Sequence, residues 1–244
     1  MRIFNTAVIL IVIFFSSIAV FSNQKYEVYT PSEAIEKSSE NCDEKILFIV
    51  DLSNSMNDYL GGYKKIDIAI NTLARITAKL NPQVKTGLRV YGHKFGFNPL
   101  LGCTATELVS PIQPNNTKNI RNILNNMSAS GWTPITKSLK SAVNNDFAGI
   151  SGKKRIILLT DGGENCDESP CDYAINLVQT RDDVQIDVIA FAINDEEANA
   201  QLKCTALTTS GKIYHANDAD SLAKSLEQAL NVSKDVQGTI IKKH

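Results

Sequence analysis

Asp51-Leu52-Ser53-Asn54-Ser55 puts one carboxylate and two hydroxyls at alternate positions. In an extended or gently turning loop, alternate side chains point the same way, so the three oxygens can face one point. Two more oxygen donors occur downstream. Gly131-Trp132-Thr133-Pro134 offers a hydroxyl just before a proline suited to opening a helix. Thr160-Asp161-Gly162-Gly163-Glu164 offers a carboxylate where an apolar run stops. Each fragment alone is also ordinary turn or cap chemistry. Together, Asp51, Ser53, Ser55, Thr133 and Asp161 form an oxygen-only donor set. Such a set suits Mg²⁺, Mn²⁺ or Ca²⁺ and disfavours zinc and copper, which prefer nitrogen or sulfur.

These residues need elements to position them. Ile46-Leu47-Phe48-Ile49-Val50 is a continuous apolar run ending in Asp51, and Ile156-Ile157-Leu158-Leu159-Thr160 is a second ending in Asp161. Short runs of this kind read as strands buried on both faces of a parallel sheet. Further strands are expected at Thr86–His93, Glu107–Ile112, Gln185–Ile193 and Lys212–His215, the second of these antiparallel to its neighbour. Between them, apolar residues recur at helical spacing, as in Ile66, Ala69, Ile70, Leu73 and Ile76. Helices are likewise expected over 117–127, 134–145, 171–180, 196–209 and 219–230, with a turn-rich loop at 96–102. The alternation implies an α/β fold: a doubly wound, mostly parallel six-stranded sheet with helices on both faces and one antiparallel edge strand. Ligands of such sheets bind at the carboxyl ends of the strands, where strand order reverses. Both Asp51 and Asp161 belong to that edge.

At these residues the chain resembles the von Willebrand factor A-type family. There an Asp-x-Ser-x-Ser loop, a Thr before a Pro-started helix and an Asp-Gly strand end form a metal-ion-dependent adhesion site. All three parts match in order, and the likeness in topology runs from about Asp43 to Leu230. The resemblance implies a Rossmann-like fold. It also implies that Ser53 and Ser55 ligate the metal directly, and Thr133 directly or through water. Asp51 and Asp161 would act mainly through bound water and by orienting the hydroxyls. A metal with few anionic ligands keeps positive charge, and the family implies that an Asp or Glu of a protein partner fills the open position. His93, Trp132, Glu164 and Asn165 are the expected partner-binding rim. For His93 a plain strand-end role competes, and for Trp132 a packing role. Tyr91, Phe95 and Phe97 are expected to pack rather than to adhere.

The N-terminus reads differently. Met1-Arg2 precedes an uncharged stretch, Ile3–Phe21, with small residues at its end. That order is expected of residues 1–22 as an export signal, cut after Ala19 or Ser22. A retained single-span anchor is the alternative. Either places the domain outside the cytoplasm: periplasmic, secreted, or membrane-anchored and facing outward. Residues 23–43 read as a linker with a short helix near Pro31, 44–232 as the domain and 233–244 as a polar tail. There are five cysteines. Export favours disulfides among Cys103, Cys166, Cys171 and Cys204 over zinc ligation. Three pairings are open; Cys166 with Cys171 is simplest by proximity, and Cys171 with Cys204 would tie two neighbouring helices. Cys42 is left free, intermolecular or paired.

Charge narrows the function classes. With 25 basic against 26 acidic residues and no basic stripe, nothing points to nucleic acid. An exported, metal-dependent adhesion or assembly module is the leading expectation, and catalysis is not expected. A phosphotransfer hydrolase would want a second carboxylate where Ser53 stands, and no Gly-x-Ser-x-Gly elbow is present. The alternative of another class is a structural subunit of an envelope complex whose metal serves folding only.

Overall fold

The structure, a computed structural model, describes residues 44–94 and 98–231. The expectations for the export segment, the linker, Cys42, Phe95, Phe97 and the polar tail lie outside the described residues.

Strand β1 (Lys45–Asp51) is buried at every position. It sits in the middle of a six-stranded sheet because its neighbours are β4 (Lys85–Tyr91) on one side and β6 (Lys154–Thr160) on the other, both parallel to it. Continuous apolarity is what a strand covered on both faces requires. The sheet continues from β4 to β5 (Thr106–Gln113) and from β6 to β7 (Val184–Phe191) and β8 (Ile213–Ala216), in the order β5-β4-β1-β6-β7-β8. Only β5 runs antiparallel, as expected. It is an edge strand, which accommodates Pro111, and its pairing with β4 shifts register twice.

Helices cover both faces. On one, α1 (Lys65–Thr77), α3 (Thr117–Leu124) and α7 (Ala219–Ala229) bury Leu73, Ile76, Ile120, Leu222 and Leu226 against Ile46, Phe48 and Val50 of β1. On the other, α4 (Ile135–Ser141), α5 (Pro170–Val178) and α6 (Glu196–Thr208) bury Leu139, Leu177 and Leu202 against Leu47 and Ile49. The alternating residues of β1 thus feed two separate cores. A four-residue helix, α2 (Pro99–Gly102), stands where a loop was expected.

Several boundaries differ from the expectation for local reasons. β4 stops at Tyr91 because Gly92 turns to φ +71°, so His93 lies outside the strand. β7 stops at Phe191 because Ala192 adopts φ +53°. The helix begun by α4 loosens into a π-turn over Ala142–Asp146. Between β1 and α1 lies a small hairpin not anticipated from the sequence, β2 (Tyr59–Leu60) with β3 (Tyr63–Lys64). Gly61 and Gly62, both at positive φ, make its two-residue turn.

Candidate metal site

The chain leaves β1 toward β4 and β5 on one side, then returns to β6 on the other. Strand order therefore reverses between β1 and β6, and Asp51 and Thr160 end those two strands. The residues that follow them meet in the crevice at the switch point.

Asp51 is fully buried. Its Oδ1 accepts the backbone N–H of Ser53 at 2.7 Å, and its Oδ2 accepts the Thr160 hydroxyl at 2.7 Å. Burial pushes its carboxyl up to about 6, and the nearby Asp161 carboxylate adds to the rise. Ser53 opens a 3₁₀ turn (Asn54–Asn57) that bends the loop back. The Ser53 and Ser55 hydroxyls lie 3.1 Å apart, and Ser55 donates to Asp161 Oδ1 at 2.7 Å. Four of the five expected ligands are therefore joined by short contacts.

Thr133 is brought alongside by the backbone. Ser53 and Gly131 form an isolated parallel bridge, and the N–H of Asn54 donates to Gly131 O at 3.0 Å. The N–H groups of Ser130 and Gly131 donate to Gly92 O. Gly92 is the pivot of both loops: a Cβ there would meet Ser53 N at 2.6 Å and the Ser53 Cα at 2.7 Å. No other residue allows both that φ and that approach.

The expected rim residues are placed unequally. Asn165 Oδ1 accepts the N–H of Thr133 at 2.8 Å. Glu164 is half-buried and accepts two backbone N–H groups, from Thr136 at 2.7 Å and Cys166 at 3.0 Å, so it closes the start of α4. Both side chains thus hold the ligand loops in place. Trp132 is half-buried over Gly102, where a Cβ would meet its Cδ1 at 2.1 Å. His93 Nε2 lies 3.2 Å from Glu107 Oε2, on the β5 side of the crevice, and burial pushes its ring down from the usual range. Tyr91 is buried, as anticipated.

Two features escaped the sequence reading. Lys65, the first residue of α1, sets its ammonium 3.0 Å from Asp161 Oδ2. The hairpin just before it holds Tyr59 and Tyr63 about 70 % exposed, 71% and 69% respectively. A Gly-Gly pair between two tyrosine-bearing dipeptides was the signal available for the hairpin. Nothing local distinguishes Lys65 from Lys64, which instead reaches Asn57 at 3.4 Å.

Cys103 pairs with Cys166 and Cys171 with Cys204. The pairing of Cys166 with Cys171 does not occur. Cys171 is already inside α5 and faces α6, whereas Cys166 lies in the loop before α5 and meets Cys103 just beyond α2. With all four sulfurs in disulfides, none is free to ligate zinc.

The donor chemistry fits a hard divalent ion. Among the described residues no three His, Cys, Asp or Glu side chains share a point, so an ion here must draw on the hydroxyls as well. Two buried carboxylates, Asp51 and Asp161, lie in the crevice and the Lys65 ammonium pairs with Asp161, which leaves a net negative charge for a cation to offset.

The model of the von Willebrand factor type A domain family matches residues 45–229. The chain belongs to that family. Protein YwmD of Bacillus subtilis (strain 168), described as uncharacterized, is 31% identical over 207 residues, covering 82% of this chain and 90% of its own. Among solved structures, proximal thread matrix protein 1 from the mussel byssus, with a zinc-occupied MIDAS motif, superposes with TM-score 0.59 at 19% identity, over 78% of this chain and 46% of that one. The von Willebrand factor domain of the type V pili tip protein Mfa5 from Porphyromonas gingivalis does so with TM-score 0.55 at 15% identity, over 76% and 93%. At such identities the likeness concerns the fold of the von Willebrand factor type A domain alone.

Proposed function

We propose that this von Willebrand factor type A domain is an exported protein-binding module, not an enzyme. Asp51, Ser53, Ser55, Thr133 and Asp161 hold Mg²⁺, or Mn²⁺ or Ca²⁺ in its place. The observation that carries the reading is the contact chain Ser53–Ser55–Asp161 beside the buried Asp51, at the sheet's switch point. The ion supplies a Lewis-acidic position for a carboxylate of a protein partner. The residues around it do the rest. Asp51 fixes the Ser53 backbone, and Thr160 fixes Asp51. Asn165 and Glu164 fix the loop that presents Thr133.

A solved relative with an occupied MIDAS motif and another from a pilus tip support a role in recognition. Two disulfides support export into an oxidising compartment, periplasmic or extracellular, in line with the leader-like residues 1–22. Among the described residues no helix is long and apolar enough to cross a membrane. His93 and Trp132 belong to the rim that a partner would touch.

Calorimetry with Mg²⁺ and Mn²⁺ tests the reading against an Asp51→Ala, Ser53→Ala variant. Saturable binding is expected in the parent and none in the variant, and saturating metal at a hundred times its Kd should add about 2.7 kcal/mol of stability to the parent. Absence of binding in both would remove the adhesion reading.

A further inference from the structure

We infer that Lys65 is a built-in cation that competes with the divalent ion for Asp161 and so sets the metal affinity of the site. The inference rests on the metal-site reading above and goes beyond it. Both oxygens of Asp161 are already taken by the chain's own donors: Oδ1 by the Ser55 hydroxyl at 2.7 Å, Oδ2 by the Lys65 ammonium at 3.0 Å. The Asp161 carboxyl is 0% exposed and the Lys65 side chain only 13%. The base of the lysine is fixed, because its N–H donates to Asp58 O at 2.9 Å across the foot of the hairpin. Its stem is nevertheless flexible and its head a compact point charge, so it can leave and return.

An ion that draws on Asp161, directly or through water, must stand beside this ammonium or displace it. Asp51 does not share the burden, since its oxygens accept only an amide and a hydroxyl. The lysine therefore does two opposite things. Without metal it compensates the buried Asp161, so the site keeps its shape. With metal it repels the incoming charge. An ammonium and a divalent ion on one carboxylate, with water-like screening because the stem can swing outward, oppose each other enough to weaken binding about tenfold, or about 1.4 kcal/mol. The site then loads where divalent ions are abundant and stays empty but formed where they are scarce.

The test compares the full chain with Lys65→Met, which keeps the apolar stem, and Lys65→Arg, which keeps the charge. By calorimetry, Lys65→Met should bind Mg²⁺ about tenfold more tightly, with Lys65→Arg close to the parent. In chelator, Lys65→Met should melt below the parent; in saturating Mg²⁺ that deficit should vanish or reverse, which a merely structural ion pair would not do. The unaltered chain gives a second measurement that needs no variant: acylation of Lys65 by an amine reagent, read by mass spectrometry, should rise when Mg²⁺ is added. Equal or weaker Mg²⁺ binding in Lys65→Met, or Lys65 reactivity indifferent to Mg²⁺ while the metal binds, overturns the inference. If the parent and both variants bind no Mg²⁺, the metal-site reading itself falls and this inference falls with it.

Discussion

The two disulfides allow a separation of stability from site geometry. Cys103–Cys166 spans 63 residues and Cys171–Cys204 spans 33, and the two loops do not overlap. In the chain-entropy account, closing the first loop removes enough unfolded-state freedom to contribute about 4.3 kcal/mol, and the second about 3.7 kcal/mol. Replacing either pair by serines should therefore cost a similar stability, on the order of 4 kcal/mol. The effect on metal should differ. Cys166 follows Asn165, whose Oδ1 holds Thr133 N–H, and its own N–H is held by Glu164. Cys171–Cys204 instead ties α5 to α6. We expect Cys103→Ser, Cys166→Ser to lower Mg²⁺ affinity about fivefold, roughly what losing the order of one hydrogen bond is worth. Cys171→Ser, Cys204→Ser should leave it at the parent value. Urea unfolding gives the stabilities and calorimetry the affinities. Equal Mg²⁺ affinity in both double variants would refute the claim that the rim disulfide positions Thr133. Stability losses that differ by more than about a factor of two would refute the loop-entropy account.

Two further outcomes follow from packing. Gly92→Ala must place a Cβ 2.6 Å from Ser53 N at a positive φ, so it should cost about 2 kcal/mol or more and weaken Mg²⁺ binding as well; an unfolding curve and a titration matching the parent would show the loop to be slack. Arg89 lies bidentate on Asp146 at 2.6 and 2.7 Å with both side chains nearly dry, so Asp146→Ala should cost about 3–5 kcal/mol by urea unfolding, whereas replacing both partners by Met and Leu should cost much less.

The strands that lead into Asp51 and Asp161 were legible because a doubly covered strand must be apolar throughout. A polar residue at its end then marks the place where the chain emerges. The same logic located the helices, whose buried stripes repeat at a period that strands cannot mimic. What escaped is instructive. The short hairpin carries too few residues for periodicity, and only its Gly-Gly turn announces it. The expected strand ran on to His93, two residues past the end of β4; the turn depends on a glycine φ that sequence pattern does not encode. The disulfide pairing stayed open for a related reason. Closeness along the chain made Cys166 with Cys171 the simplest of three pairings, but the Ser169 cap and Pro170 start α5 between them and commit Cys171 to the helix, where it meets Cys204 as the helix-tying alternative had it.

The roles of Glu164 and Asn165 show where residue type stops being informative. An Asn and a Glu beside a metal loop read equally well as partner contacts or as backbone clamps. The choice depends on whether an amide lies in reach across the crevice. Here Thr133 N–H and Thr136 N–H do, because α4 begins directly opposite the loop after β6. The same geometry explains why the site can exist before any ion arrives. Most of its donors already have a partner within the chain: Asp51 with Ser53 and Thr160, Ser53 with Ser55, Ser55 and Lys65 with Asp161. A site assembled this way would exchange one set of contacts for another on binding a metal. Its affinity would then depend on how firmly these groups hold each other, and the one cation among them is Lys65.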